Sequence, residues 1–196
     1  AIFYKHKPKN IIAVTGTNGK TSVADYFYQI LSLNKIPVAS IGTLGVKSKK
    51  NIIKTSLTSP DIITIHKVLE KLKKNKIDNA IIEASSHGLI QNRLDNINFK
   101  AGIFTSFSHD HLDYHKSMKA YFNAKLILFK KLLKKNKHVI THKELVNFSV
   151  LKKIISKRRL KLLNIKPNES FERYYPKHIF GKFQKNNLAM SIIAAK

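Results

Sequence analysis

The chain combines 196 residues with no cysteine and a formal net charge of +26. Its length suits one domain over residues 1–196, and neither a signal peptide nor an apolar run of the roughly 20 residues needed to cross a bilayer is visible, which predicts a cytoplasmic protein without a membrane partner. The absence of cysteine excludes disulfides and thiolate metal sites. Only four of the 37 basic residues are arginine, which recognises phosphates and bases better than lysine does. The positive charge therefore favours a solvated lysine surface over specific nucleic-acid binding.

Short apolar runs alternate along the chain with segments of helical periodicity. The predicted strands are residues 11–14, 38–41, 80–84, 101–105 and 138–140. The predicted helices are one after residue 19, one after an N-cap at Ser59 with Pro60 at the first helical position, one over 118–133, and one near 151–160.

Two segments carry little signal. Residues 47–54 are rich in lysine and are expected to form a polar loop, and residues 143–172 are basic without a chemical motif.

Outside these two segments, the alternation of strands and helices predicts an α/β fold with a mostly parallel sheet flanked by helices. Such sheets bind ligands beyond the carboxyl ends of their strands.

The first strand ends at a glycine-rich turn that opens a helix, Gly16-Thr17-Asn18-Gly19-Lys20-Thr21-Ser22. Glycines let backbone N–H groups approach phosphates, and a helix N-terminus favours negative charge. Lys20 can reach the β- and γ-phosphates of a nucleotide, and the Thr21 hydroxyl can bind Mg²⁺. Val14 stands where the full Walker pattern has glycine, so an ordinary tight turn is the alternative interpretation.

A charged residue, Glu83, closes the apolar strand that begins at Ala80. A carboxylate at a strand end suits a Mg²⁺ ligand, although a salt-bridged glutamate would explain it equally well. Ser85, Gln91 and Arg93 follow. Their hydroxyl, amide and guanidinium groups could hold a sugar diphosphate, and a polar loop with a helix cap is the alternative.

Histidines and carboxylates crowd the segment from His109 to His115. A structural zinc site usually requires four ligands in a closed tetrahedral arrangement. A Mg²⁺ site that uses a single histidine requires fewer residues at fixed spacing. Lys125 lies in the middle of the apolar helix face that includes Phe122 and Phe129. It is either a lysine whose ammonium reaches out to water or a buried amine with a lowered pKa, which could be chemically modified.

Together these strings resemble the Mur ligase family, and within it the enzymes that add the third residue of the stem peptide. The matching strings are TGTNGKTS at 15–22, LTSPD at 57–61, EASSHGLIQNR at 83–93, SHDHLDYH at 108–115 and YFNAK at 121–125. A weaker match is GKFQKNN at 181–187.

The resemblance implies a role for each matching residue. It implies ATP binding by Gly16, Thr17, Asn18, Gly19, Lys20, Thr21, Ser22 and Asn187. It implies one Mg²⁺ on Thr21 and Glu83 and a second on His111, Glu83 and Lys125, with Lys125 carbamylated by CO₂ so that it becomes an anion. It also implies that Thr58, Ser59, Ser85, Gln91 and Arg93 bind the UDP-muramoyl substrate.

The chemistry implied by the resemblance is ATP-dependent activation of a carboxylate. The substrates would be UDP-N-acetylmuramoyl-dipeptide and a diamino acid, diaminopimelate or lysine, and the protein a monomer. The family has three domains, and only the central one matches this chain. The resemblance therefore implies that the chain alone binds nucleotide weakly and ligates little or nothing.

Some positions depart from the family pattern. Ser106 stands in place of a usual asparagine, His109 in place of a frequent arginine, and Gln184 in place of a frequent asparagine; the usual Asn-x-Asp after residue 140 is missing. Two alternatives stay open. One is another ligase of the superfamily, of the folylpolyglutamate or cyanophycin synthetase type; the other is a basic module that binds nucleic acid without catalysis.

Overall fold

The computed structural model describes residues 4, 6–49, 52–53, 58–165 and 181–196. The strands are β1 Asn10–Thr15, β2 Val38–Gly42, β3 Gly45–Ser48, β4 Ile52–Ile53, β5 Asn79–Glu83, β6 Phe99–Phe104, β7 His138–His142 and β8 Lys161–Ile165. The α-helices are α1 Lys20–Leu33, α2 Ile62–Lys74, α3 Ser86–Ile90, α4 Leu112–His115, α5 Met118–Ile127, α6 Phe148–Lys157 and α7 Lys182–Ala195. A π-helical turn, Leu128–Leu132, continues α5.

The described strands form one sheet in the order β4-β3-β2-β5-β1-β6-β7-β8. The six strands from β2 to β8 in this order run parallel. Only β3 and β4, at one edge, pair antiparallel. The predicted α/β fold with a mostly parallel sheet is therefore confirmed.

Both faces of the sheet are covered, since successive strand residues point to opposite sides. Ala13 and Ile82 belong to one hydrophobic cluster, with α2 and α5, whereas Val14 and Ile81 belong to another, with α1 and α7. Continuous apolar strands such as β1 are the expected result of this two-sided burial. The helices packed on both faces hold the sheet in place, and the polar motifs lie at the ends of its strands.

The predicted loop over residues 47–54 is wrong in part. Residues 45–48 and 52–53 pair as antiparallel strands at the edge of the sheet. Val46 is buried while the lysine next to it is half-buried. The abundance of lysine hid this short strand, β3, which lies next to the edge strand β4, because an antiparallel strand with one solvent-facing side tolerates a charged side chain there.

The predicted N-cap at Ser59 is also wrong. Asp61 caps α2, and its carboxylate accepts hydrogen bonds from the backbone N–H groups of Ile63 and Thr64. Pro60 therefore precedes the cap. The Ser59 hydroxyl instead donates to the backbone oxygen of Glu83, at 2.7 Å, and so ties the start of α2 to the end of β5.

Two further helix predictions need new bounds. The helix expected over 118–133 leaves α-helical geometry at Leu128, where the π-helical turn buries both Leu128 and Phe129. The helix expected near 151–160 is α6, and it ends earlier because Arg159 has a positive φ of 52°. The strand β8 follows it and was not predicted. Residues 166–172 of the uninformative segment, and Leu57 of the second motif, lie outside the described residues.

None of the helices in the described part of the chain has both the length and the apolar character needed to cross a bilayer.

Candidate active site

The glycine-rich turn links β1 to α1 at the carboxyl edge of the sheet. Gly19 precedes the helix with a φ of +86°, and a β-carbon there would lie 2.6 Å from Oδ1 of Asn187. No side chain caps α1, and its first turn contains no acidic residue. The turn therefore presents the unpaired N–H groups of a helix N-terminus, which suit a phosphate.

Lys20 folds back over this turn. Its Nζ donates hydrogen bonds to the backbone oxygens of Gly16, at 3.0 Å, and Thr17, at 2.9 Å. Burial lowers the pKa of Lys20, and the negative charges of Glu83 and Asp110 oppose that shift. The ammonium is thus held over the glycine-rich turn.

Contacts with the segment after β6 fix the shape of the loop. The Thr17 N–H donates to the Ser106 backbone oxygen at 2.8 Å, and the Asn18 N–H donates to Ser106 Oγ at 3.0 Å. Ser106, a departure from the family pattern, therefore still holds the loop. Asn187 is fully buried behind Gly19, and its Oδ1 has no hydrogen-bond partner among the described residues.

Glu83 is buried, with 2% of its surface exposed, and its carboxylate accepts three hydrogen bonds from Thr21 and Thr43. Thr21 Oγ1 donates to Oε2 at 2.9 Å. The backbone N–H of Thr43 donates to Oε1 at 2.9 Å, and the Thr43 hydroxyl donates to Oε2 at 3.1 Å. No lysine or arginine pairs with Glu83 among the described residues, which argues against a structural salt bridge.

Thr43 was missed by sequence reasoning. It follows β2, which pairs directly with β5, so both carboxyl ends meet at one point. A polar residue after a predicted strand was a usable signal, but the pairing of these two strands was not readable from the sequence. Gly42 permits the contact, because a β-carbon at this position would lie 2.0 Å from Oε1 of Glu83.

Lys125 is buried, with 1% exposed, so of the two alternatives its ammonium does not reach out to water. Its Nζ donates to the backbone oxygen of Gly16 at 2.8 Å and lies 4.2 Å from the centre of the Tyr121 ring. Burial, followed by the nearby charge of Lys20, lowers the pKa of Lys125 from its usual 10.5 to about 6. Its amine is therefore largely neutral at neutral pH.

The histidines of the fourth motif divide into two environments. His111 is 45% exposed at its side chain, with Nε2 at 3.5 Å from Asp110 Oδ2. His115 is buried, and its Nε2 lies 2.9 Å from Ser86 Oγ. Among the described residues, no group of three or more His, Cys, Asp or Glu side chains could hold a metal. A zinc centre built from this motif is therefore not supported.

The residues expected to bind a sugar diphosphate lie beside Glu83. Arg93 Nη1 donates to the Ser59 backbone oxygen at 2.7 Å, and Arg93 Nε donates to Gln91 Oε1 at 2.9 Å. Ser85 Oγ lies 3.0 Å from Ser59 Oγ and also caps α3. The helix-cap alternative thus holds for Ser85, but it does not explain why these residues gather here.

One cavity of about 430 Å³ joins most of the site. Its lining comprises Thr17, Asn18, Gly19, Lys20, Thr21, Ser22, Thr43, Thr58, Ser59, Ser85, Ser86, His87, Arg93, His111 and Lys125. Glu83 reaches the cavity through its hydrogen bonds with Thr21 and Thr43. Gln91 is exposed beside the cavity, and Gly16 and Asn187 lie behind its wall.

Comparison with known proteins agrees with this geometry. The family model of the Mur ligase middle domain matches residues 14–194. The UDP-N-acetylmuramoyl-L-alanyl-D-glutamate–2,6-diaminopimelate ligase of Rickettsia bellii (strain RML369-C) is 43% identical over 171 residues, 85% of this chain and 36% of that protein. The ligase of the same name from Brucella melitensis biotype 1 is 47% identical over 135 residues, 69% of this chain and 28% of that protein.

Solved structures show the same relationship. A UDP-N-acetylmuramoyl-L-alanyl-D-glutamate–2,6-diaminopimelate ligase superposes with a TM-score of 0.82 at 27% identity, covering 97% of this chain and 43% of that one. An E. coli FolC complex with DHPP and ADP gives 0.72 at 14% identity, covering 97% and 54%, which shows a shared fold alone. The chain spans about a third of the length of the curated relatives it matches. Because the family model covers residues 14–194 and the Rickettsia bellii relative is 43% identical over 85% of this chain, the chain belongs to the Mur ligase family, whose middle domain it contains.

Proposed function

We propose that this chain is the ATP-binding part of a ligase that joins 2,6-diaminopimelate to UDP-N-acetylmuramoyl-L-alanyl-D-glutamate. The names of the Rickettsia and Brucella relatives support this reaction and favour diaminopimelate over lysine. The observation that carries the proposal is one cavity in which Lys20, Thr21 and Lys125 face Ser59 and Arg93. Groups suited to a triphosphate and to a sugar diphosphate thus lie within one site.

The phosphates of ATP would bind on the turn from Gly16 to Ser22, with Asn187 supporting it from behind. The N–H groups at the start of α1 and the Lys20 ammonium supply positive charge. They would stabilise the charge that shifts between phosphate oxygens during phosphoryl transfer. The exposed surfaces of Thr58, Ser59, Ser85, Gln91 and Arg93 would hold the UDP-muramoyl substrate beside them.

Magnesium fits the donors on the other side of the turn. Mg²⁺ prefers oxygen ligands and is often held by one or two carboxylates together with substrate phosphates. Thr21 and Glu83 offer a hydroxyl and a carboxylate that already touch. A second ion would use Glu83, His111 and Lys125 after its carbamylation. Bound there, magnesium would neutralise phosphate charge during the transfer.

Lys125 is suited to carbamylation. With a pKa of about 6, its amine has a free electron pair at neutral pH. The amine would attack CO₂, form an N–C bond and release one proton, which turns a neutral group into an anion. A carbamate could bind Mg²⁺, whereas an ammonium could not, and this explains a lysine on an apolar face.

The reaction would then proceed in two stages. A γ-carboxylate oxygen of D-glutamate in the substrate would attack the γ-phosphorus of ATP, the bond from that phosphorus to the β–γ bridging oxygen would break, ADP would leave, and an acyl phosphate would form. The amine of diaminopimelate attacks its carbonyl carbon, an amide bond forms, and phosphate leaves. The residues of this chain would hold the γ-phosphate of ATP next to the γ-carboxylate of the substrate, and this proximity favours phosphoryl transfer.

A chimaera tests this proposal directly. The matching segment of the Rickettsia bellii ligase is replaced by this chain, and phosphate release is measured with ATP, UDP-N-acetylmuramoyl-L-alanyl-D-glutamate and diaminopimelate. We expect turnover that requires all three substrates and falls strongly when lysine replaces diaminopimelate. A properly folded chimaera that binds ATP but forms no tripeptide product would contradict the proposal.

Replacing Thr43 by valine is expected to raise the Mg²⁺ concentration needed for half-maximal activity of this chimaera about 10- to 100-fold, the usual cost of losing a residue that orients a metal ligand. Valine keeps the backbone N–H but removes the hydroxyl that contacts Glu83. Magnesium titrations of activity measure the effect. Thr43→Ser is the control, since it keeps the hydroxyl; an equal loss in both variants would show that shape alone matters.

A further inference from the structure

A second cavity, of about 470 Å³, lies away from the phosphate loop. It is bounded by the last turns of α1 and α2, by the start of β2 and by β3. The phosphate loop is at the other end of α1, whose fourteen residues span about 20 Å. This cavity is therefore separate from the site that binds ATP in our proposal.

The floor of this cavity is apolar. Val38, Val46 and Leu72 line it and are buried in the protein, and the half-buried Val68 contributes from α2. Its volume falls within the range of small-molecule sites, which are mostly apolar with a few convergent polar groups. An apolar group would thus find a matched surface here.

The rim of the cavity is cationic. Lys35, Lys49 and Lys71 contribute to its lining, and no acidic residue does. None of these three ammonium groups forms an ion pair within the described part of the chain. Three uncompensated positive charges around an apolar floor favour a ligand that carries a negative charge.

Carboxylates on the neighbouring elements do not compensate this charge, because each is already paired with a different lysine. These pairs are Asp25 with Lys47 at 2.7 Å, Glu70 with Lys74 at 3.4 Å, and Asp78 with Lys73 at 2.6 Å. Lys47 also lies 4.5 Å from the centre of the Tyr28 ring, which lines the cavity. The three rim lysines therefore remain available to a ligand.

We infer that this cavity binds a small organic anion with an apolar, ring-sized body and one acidic group, such as an aromatic carboxylate or sulfonate. The apolar body would rest on Val46, Val68 and Leu72. The acidic group would face Lys35 and Lys71 at the rim. This inference is independent of the ligase proposal, because it uses no residue of the active site.

Two fluorescent probes of similar shape test the inference. The anionic probe is 8-anilinonaphthalene-1-sulfonate, and the neutral one is N-phenyl-1-naphthylamine. The double variant Lys35→Gln/Lys71→Gln is expected to weaken binding of the sulfonate about tenfold and to leave the neutral probe unchanged, since two solvent-exposed charge contacts contribute roughly 1–2 kcal/mol. Lys134→Gln/Lys135→Gln removes the same charge at exposed positions elsewhere and should change neither probe.

Val68→Phe is the complementary variant, because it fills the cavity and keeps the lysines. Both probes should then bind at least several-fold more weakly, while Mg-ADP binding stays unchanged. The inference is overturned if Mg-ADP displaces the sulfonate, or if the two double lysine variants weaken it equally. The lysine substitutions lie at the surface and decide the matter even if Val68→Phe does not fold.

Discussion

Replacing Lys20 by alanine is expected to weaken Mg-ATP binding by roughly a hundredfold, which corresponds to about 3 kcal/mol. The variant loses the ammonium that the loop holds at its phosphate end through Gly16 and Thr17. The backbone N–H groups of α1 remain, so residual binding should persist. Isothermal titration of the chimaeric ligase with Mg-ATP measures the change, because the chain alone is expected to bind nucleotide weakly.

Lys134→Ala is the matched control for this experiment. Lys134 is exposed, does not line the cavity, and precedes β7 at the edge of the sheet opposite the glycine-rich turn, so its replacement removes the same net charge without touching the site. If the Lys20 variant and the control bound ATP with equal affinity, the proposal that the turn from Gly16 to Ser22 binds the phosphates of ATP would be contradicted. The same pair also tests the basic-module alternative, which expects salt-sensitive nucleic-acid binding that does not depend on Lys20.

Replacing Lys125 by methionine is expected to abolish turnover of the chimaeric ligase and yet to stabilise the fold. Methionine fills the same space without an amine, so no carbamate can form. In solutions of ¹³C-labelled CO₂, the original chain should show a carbamate resonance that the Lys125→Met variant lacks. Opposite effects on activity and stability separate a functional role for the lysine from a structural one.

The stability effect has a defined dependence on pH. The unfolded chain keeps a proton on Lys125 up to its usual pKa of 10.5, whereas the folded chain loses it near 6. Between these values the unfolded state binds more protons, so the free energy of unfolding rises with pH by up to about 1.4 kcal/mol per unit. Below the lower value this contribution to the slope disappears.

Urea unfolding at about pH 6.5 and about pH 8.5, in buffer stripped of CO₂, measures this slope. The advantage of the methionine variant over the original chain should shrink by roughly 2–3 kcal/mol between the two values. A constant difference would mean that Lys125 stays protonated when folded. In that case the neutral amine needed for carbamylation would be missing, and this part of the proposal falls.

The fold was largely predictable from the sequence because its strands are buried on both faces. Segments such as residues 11–14 are uniformly apolar and end at polar turns. This pattern identifies a buried strand whatever the order of the strands in the sheet. The edge strand β8 and the strand β3, which lies next to the opposite edge, were missed for the converse reason. They are short, lysine-bearing and half-exposed, so their composition is that of a surface loop.

The site was predictable to the extent that chemistry and chain position coincide. Lys20 and Thr21 follow a glycine-rich turn at the start of α1, Glu83 ends β5, and Lys125 interrupts an apolar helix face, so each could be singled out from its neighbours. Thr43 could not, because its importance comes from the pairing of β2 with β5. Ser59 carried a second plausible role as a helix cap, and only the position of Asp61 shows that the cap lies elsewhere.

Gly42 has a consequence for how the family can diverge. A β-carbon there would overlap the carboxylate of Glu83, so a mutation at position 42 acts on a side chain 41 positions away. Positions 42 and 83 therefore cannot change independently during evolution. A larger residue at position 42 requires a shorter or displaced acidic side chain at position 83. Covariation between them across homologues would then reflect a shared volume, not a shared reaction step.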